Sequence, residues 1–225
     1  MFNSSDLISQ IKEYQKKHSI LSLKSHHFVF DCPFESDAKE TPDFIWIGLN
    51  PGGDQDDWAK TNGKNDEETR DRNFQEIYSR SSLSKRRMTK VRNFLGNDNF
   101  KKTTHTELFF WCSKDTNKDF KNRYNFNFDN NPHMKFCCQM NKTLIDRIKP
   151  KALFFESRAK IDILKRYFRL DYISSEVISN SDNVRIDEYS FESKYRLINF
   201  DHLSAGPPKS LHRQNVSRYV QSIIN

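Results

Sequence analysis

What the chain most lacks is a long apolar run. No stretch approaches the ~20 consecutive apolar residues that a bilayer-spanning helix needs. Residues 1–17 are polar and hold no apolar segment of the kind that forms a signal-peptide core, so a cytoplasmic location and no membrane partner are expected. Cysteine is scarce. The four present, Cys32, Cys112, Cys137 and Cys138, form no CxxC pair, and free thiols in a reducing compartment follow. Two phosphate-binding signatures are missing as well: no GxGxxG opens a dinucleotide fold, and no Gly-Lys-Ser/Thr closes a P-loop. No internal repeat or linker divides the chain, which predicts one domain over residues 1–225.

What is present is aromatic bulk and positive charge. Only 35% of the 225 residues are hydrophobic, yet these include 19 Phe, 8 Tyr and 3 Trp, large enough to build a core from few side chains. Charged residues are dispersed rather than gathered in a tail, which argues against disorder. The formal net charge of +7 favours a polyanionic partner, because Lys and Arg that neutralise phosphates release condensed counterions.

Hydrophobic periodicity alternates between strand and helix. Residues 4–18 read as an opening amphipathic helix, with Leu7, Ile11 and Tyr14 at helical spacing. Phe44-Ile45-Trp46-Ile47 is a continuous apolar run, the pattern of a strand buried on both faces. Residues 54–71 are polar and acidic, and read as a loop. Residues 73–95 are helix-compatible and basic. Leu108-Phe109-Phe110-Trp111, within residues 107–112, reads as a second strand, followed by a polar linker over residues 113–132. Met140, Leu144, Ile145 and Ile148 form a helical stripe stopped at Lys149 by Pro150. Ala152 to Phe155 reads as a third strand, Ala159, Ile163, Tyr167 and Phe168 as a helix, and Tyr195 to Phe200 as a fourth strand. Two alternating segments, 172–178 and 184–191, lie between them. Val216, Tyr219, Val220 and Ile223 mark a closing helix. The expectation is an α/β protein of three αβα layers around a central, mostly parallel four-stranded sheet. Ligands of such sheets bind beyond the carboxyl ends of the strands.

Two loops fall there. Gly48-Leu49-Asn50-Pro51-Gly52-Gly53 offers close backbone approach at its glycines, a turn stiffened by Pro51, and an amide at Asn50 that both donates and accepts. A structural strand-to-helix turn is the plainer reading. The second loop, Asp201 to Ser210, begins with His202 directly after an apolar strand. It carries Leu203 in a polar, proline-stiffened stretch with Ser204, Pro207, Pro208 and Lys209. The plainer reading there is a solvated histidine on an ordinary connection.

Together the loops resemble the uracil-DNA glycosylase superfamily: a strand ending in Gly-x-Asn-Pro-Gly, and a last strand ending in His-x-Ser with a proline-rich loop. The Asn50 loop is similar to those of the mismatch-specific thymine/uracil and single-strand-selective branches. This resemblance implies a uracil-DNA-glycosylase-like fold and a monofunctional DNA glycosylase acting in base excision and DNA repair. Such enzymes flip a uracil-like or modified base from single- or double-stranded DNA. It implies that Asn50 positions the attacking water and that His202 stabilises the charge of the departing base. A base pocket would involve Gly48, Leu49, Pro51, Gly52, Trp58, Trp111 and Cys112. A DNA-contacting wedge would involve Leu203, Ser204, Pro207, Pro208, Lys209 and Arg213. It implies a monomer with no metal or organic cofactor. Many members carry an Asn at the end of the second strand, where this chain has Phe110-Trp111-Cys112-Ser113, and His202-Leu203-Ser204 replaces His-Pro-Ser. A modified base therefore competes with uracil, and the resemblance extends to glycosylases that excise hypermodified phage bases in antiviral defence.

Other groupings carry less. Cys112 and Cys137 lie near iron–sulfur ligand positions of some superfamily members, but such clusters need four thiolates. His133 and Cys137 have metal-compatible spacing without a second pair. Asp54, Asp56 and Asp57 suit a magnesium-dependent nuclease. Trp58, Phe74 and Tyr78 compete as the aromatic that stacks on the base. The basic run from Arg80 to Lys102, with Arg213 and Arg218, suits phosphate contacts. A non-catalytic base-binding module and a hydrolase of free nucleosides are the remaining alternatives.

Overall fold

The computed structural model describes residues 3–22, 28–35, 41–52, 82–179, 184–201, 218–222 and 224. Seven strands are described: β1 (Cys32–Pro33), β2 (Phe44–Gly48), β3 (Thr103–Glu107), β4 (Ala152–Phe155), β5 (Leu170–Ser179), β6 (Val184–Phe191) and β7 (Tyr195–Phe200). They form one sheet in the order β1-β3-β2-β4-β7-β6-β5. The middle four, β3-β2-β4-β7, are parallel. β1 and the β5–β6 hairpin add antiparallel strands at the two edges. The expected four-stranded parallel sheet is thus the centre of a seven-stranded mixed one. The segments at 172–178 and 184–191 enlarge it because a hairpin can extend β7 antiparallel without a helical crossover.

Six helices are named here: α1 (Ser5–Lys17), α2 (Ser82–Leu95), α3 (Asn97–Lys101), α4 (Lys118–Tyr124), α5 (Met134–Ile148) and α6 (Ile161–Tyr167). Residues 218–222 are also helical. Strand alternation splits the core in two. Ile45, Ile47, Leu153, Phe155 and Leu197 pack with Leu7 and Ile11 of α1, Leu144 and Ile145 of α5, and Ile163 and Leu164 of α6. On the opposite face Phe44, Trp46, Phe154, Ile198 and Phe200 pack with Val91, Phe94 and Leu95 of α2 and with Val220. Each large side chain so buried contributes about 1.5–3 kcal/mol, which is why β2 and β4 read as unbroken apolar runs. The stripe on α5 is buried, and the helix ends at Lys149 with φ 54°, ahead of Pro150, which cannot continue it.

The second strand lies earlier than the apolar run predicts. It is Thr103-Thr104-His105-Thr106-Glu107, all five residues buried, while Leu108 to Trp111 follow it and contribute only an isolated bridge between Phe28 and Trp111. The three threonines of the polar strand find partners: Thr103 Oγ1 donates to the Asn99 carbonyl (2.6 Å), Thr104 Oγ1 to Asp31 Oδ1 (2.9 Å) and Thr106 Oγ1 to Asn141 Oδ1 on α5 (2.7 Å), while Asn141 Nδ2 donates to the Glu107 carbonyl (2.9 Å). The linker expected over residues 113–132 holds α4 instead. Phe120 and Tyr124 stand four apart on it and are both buried.

Candidate functional site

Along the chain β2 comes first, β3 joins it on one side, and β4 joins it on the other. The strand order therefore reverses between β2 and β4. A crevice at the carboxyl ends of two such strands is the usual ligand position of an open α/β sheet. Two segments meet there, Gly48 to Gly52 after β2 and Glu156 to Arg158 after β4.

The first loop is held as an extension of the sheet. Leu108 N–H donates to the Gly48 carbonyl (2.8 Å), Phe109 N–H to that of Leu49 (2.9 Å), and Ser113 N–H to that of Pro51 (3.1 Å). These bonds explain why Leu108 to Ser113 leaves the ladder geometry: it tracks the loop instead of a strand. Gly48 and Pro51 are buried, Leu49 and Asn50 half-buried, and Gly52 exposed.

Asn50 is anchored through one end of its amide. Nδ2 donates to the Pro51 carbonyl (3.0 Å), the Ser113 carbonyl (3.1 Å) and the Ser113 hydroxyl oxygen (2.8 Å). Two of these partners are backbone carbonyls, which only accept, so the amide is oriented with its nitrogen inward. Among the described residues none donates to Oδ1. Ser113 in turn donates through its own hydroxyl to the Asp115 carbonyl (2.9 Å). It is a supporting residue that the sequence signals only by its place after the aromatic run.

On the sheet face shared with Trp46, two buried carboxylates flank Gly48. Gly48 pairs in register with Glu107. A Cβ built on Gly48 would overlap Glu107 Oε2 and lie 2.9 Å from its Cδ, so any side chain there would displace the carboxylate. Glu107 Oε1 lies 3.2 Å from His105 Nε2, with both side chains inaccessible to solvent. Beyond β4, the Trp46 indole N–H donates to Glu156 Oε2 (3.0 Å), and Glu156 N–H donates to the Ile47 carbonyl (3.2 Å). Sequence reasoning missed both glutamates. Their signal is a single acid at the end of each strand, which resembles an ordinary solvated residue.

Arg158 ties the β4 end to the β7 end. Its Nη1 lies 3.5 Å from Asp201 Oδ2 and its Nε 3.7 Å from Asp187 Oδ2. The residue that precedes His202 is thereby held against the second segment of the crevice.

The expected pocket residues divide. Gly48, Leu49, Asn50, Pro51 and Gly52 stand together at the carboxyl end of β2. Trp111 is buried behind them, its ring 6.3 Å from Tyr14 and 5.4 Å from Phe109. The Cys112 carbonyl accepts from the Tyr124 hydroxyl (2.7 Å), and Cys112 is buried. His202, Leu203, Ser204, Pro207, Pro208, Lys209 and Arg213 lie outside the described residues, as do Trp58, Phe74, Tyr78, Asp54, Asp56 and Asp57.

Of the basic run, Arg92 pairs with Glu35 (3.0 Å) and its guanidinium lies 4.7 Å from the Phe100 ring centre, contacts that serve packing. Arg218 is exposed.

Near Trp111, the Tyr14 hydroxyl lies 3.0 Å from His133 Nδ1. Burial, and the adjacent His18, lower the His133 pKa to about 4. Burial pushes the Cys137 thiol well above its ordinary value, which is that of an inert core cysteine. Among the described residues no three His, Cys, Asp or Glu side chains converge to hold a metal ion, and no helix is long and apolar enough to cross a membrane.

The chain matches no protein-family model and no curated protein sequence.

Proposed function

We propose that this chain is a monofunctional DNA glycosylase of the uracil-DNA glycosylase type, hydrolysing the N-glycosidic bond of a flipped-out uracil-like or modified base. The observation that carries the reading is Asn50: at the strand-order reversal, its amide nitrogen is pinned by Pro51 and Ser113 while its carbonyl oxygen points free of the described residues. The likeness of the Asn50 loop and the His202 segment to that superfamily supports it. So does the β3-β2-β4-β7 parallel core, which puts both strand ends on one edge.

The chemistry assigned to these residues is simple. Asn50 Oδ1 accepts a hydrogen bond from a water molecule and turns its lone pair toward C1′ of the deoxyribose. The water oxygen bonds to C1′, the C1′–N bond breaks, and its electron pair leaves with the base. The proton of the attacking water passes to solvent or to the departing base. An amide is not a general base, so the step relies on leaving-group stabilisation, assigned to His202. Asp201, the residue before it, pairs with Arg158. The Leu203 to Lys209 segment, with Arg213, is assigned to holding the DNA open. No metal or organic cofactor enters these steps.

Incubating the protein in excess with duplex and single-stranded DNA carrying uracil or modified bases, then treating with alkali, tests the proposal. Abasic sites that appear as strand breaks only after alkali, and that Asn50→Ala and His202→Ala fail to make, are the expected result. Strand cleavage that requires Mg²⁺ and no alkali would replace the reading with a nuclease. Salt-dependent binding with no abasic product would replace it with a binding module.

A further inference from the structure

The turn that anchors Asn50 runs on into a basic helical face. Ser113, whose hydroxyl accepts from Asn50 Nδ2 (2.8 Å), donates to the Asp115 carbonyl (2.9 Å). Asp115 Oδ1 accepts the N–H groups of Asn117 (2.8 Å) and Asp119 (3.3 Å), and Asp119 Oδ2 accepts that of Lys114 (2.7 Å). One hydrogen-bonded unit therefore joins the Asn50 loop to the start of α4. Both acids of residues 114–123 are engaged inside it, since Asp119 also faces Arg123 Nε at 3.5 Å. Four basic residues stand against those two acids, so the segment keeps a positive excess. Lys118 and Lys121, three apart on α4, are exposed and form no ion pair among the described residues. Phe120 and Tyr124 turn the opposite face into the core. Asn117, Asn122 and Asn125, close by in sequence, are exposed as well.

Resting on the glycosylase reading, we propose that Lys118 and Lys121 hold the DNA strand that carries the target base, by its phosphates, beside the Asn50 loop. Side chains three apart on a helix stand about 5–6 Å from each other at Cβ, and their long flexible stems let the two ammonium groups take neighbouring phosphates. Phosphate contacts set position on a strand without reading its sequence. That role suits a pair of residues tied to the site through the Ser113 and Asp115 bonds. A membrane surface fits less well, because such binding draws on apolar side chains, and α4 exposes no large hydrophobic residue. In the earlier basic run Arg92 is already committed to Glu35 and the Phe100 ring.

Binding of an end-labelled DNA duplex of ordinary bases to the full chain is followed by fluorescence anisotropy in EDTA over a range of KCl concentrations. Wild type, Lys118→Ala/Lys121→Ala and Lys101→Ala/Lys151→Ala are compared. Lys101 and Lys151 are exposed and stand just before β3 and β4, at the amino edge of the parallel strands. The second pair therefore removes the same charge far from the Asn50 loop. Lys118→Ala/Lys121→Ala is expected to weaken binding and to make the slope of log affinity against log salt shallower by about one for each lysine lost. Lys101→Ala/Lys151→Ala is expected to leave that slope unchanged. No binding by the wild type, an unchanged slope in the first pair, or equal losses in both pairs overturns the proposal. Should the first pair fail to fold, Lys118→Gln and Lys121→Gln decide singly. The two readings separate cleanly. A shallower slope without base release from any DNA keeps α4 as a DNA-contacting face and removes the glycosylase. Base release from DNA with the slope unchanged does the opposite.

Discussion

Asn50 and Ser113 are joined twice: Nδ2 of the asparagine donates to the serine hydroxyl at 2.8 Å and to the serine carbonyl at 3.1 Å. The hydroxyl bond is the part a mutation can remove. Ser113→Ala keeps the backbone partner and loosens the amide, so base release is expected to fall about fivefold, the worth of one ordinary hydrogen bond of about 1 kcal/mol. Asn50→Ala removes the water-holding oxygen itself and is expected to cost about 100- to 1,000-fold, as for loss of a preorganised catalytic amide. Single-turnover rates compare the two, and equal losses would contradict the supporting role of Ser113.

Gly48 and Glu107 share one volume. Gly48→Ala forces the carboxylate aside and is expected to destabilise the fold by about 1–3 kcal/mol, the usual cost of overpacking. Removing the obstacle should remove much of that cost. In urea unfolding, the double variant Gly48→Ala/Glu107→Ala is therefore expected to be more stable than the sum of the single effects, with a coupling of about 0.5–3 kcal/mol. Strict additivity would show that the two do not compete for space.

How much of this was legible beforehand depended on whether burial was apolar. Phe44 to Ile47, Ala152 to Phe155 and the stripe on α5 were plain, because water exclusion alone explains those side chains. β3 was not, because Thr103, Thr104, His105, Thr106 and Glu107 are polar and buried. The hydrogen-bonding partners of Thr104 and Thr106, Asp31 and Asn141, lie far along the chain. Three threonines in five residues were the available signal, since β-branched side chains favour strands. Placing the strand over Leu108 to Trp111 also displaced its end, and so hid Glu107. Asn50 was legible because its loop motif is local, whereas Ser113 was not, because its importance comes from a contact across 63 residues. α4 escaped because its stripe is only two residues, Phe120 and Tyr124.

Trp46→Phe keeps the aromatic packing of β2 and removes the donor to Glu156 Oε2. A buried acceptor that loses a hydrogen bond to a charged group is expected to cost about 1.5–3 kcal/mol. Urea midpoints at pH 7 measure it, and a change below about 0.5 kcal/mol, the scale of ordinary surface substitutions, would show that this bond carries no weight.

His133 gives a pH dependence with a definite sign. Its folded pKa is lowered to about 4 from 6.5, chiefly by burial, so below pH 6.5 the unfolded chain binds the extra proton first. Its stabilising contribution is present above pH 6.5 and is lost as pH falls toward 4. Asp6, held down to about 2 by its hydrogen bond to Arg147, loses its contribution below that window. Unfolding curves between pH 7 and 4.5 are expected to show a steeper loss for the wild type than for His133→Gln, whatever the absolute stability of the variant. Parallel slopes would contradict the assignment.

The central claim is tested most directly by measuring free base released from DNA under single-turnover conditions in EDTA, with wild type and Asn50→Ala compared on the same substrate. The wild type is expected to release a base and leave an intact, alkali-sensitive backbone. Asn50→Ala is expected to slow that release by about 100- to 1,000-fold. Release unaffected by Asn50→Ala, or no release accompanied by Mg²⁺-dependent strand breaks when the metal is restored, would contradict it.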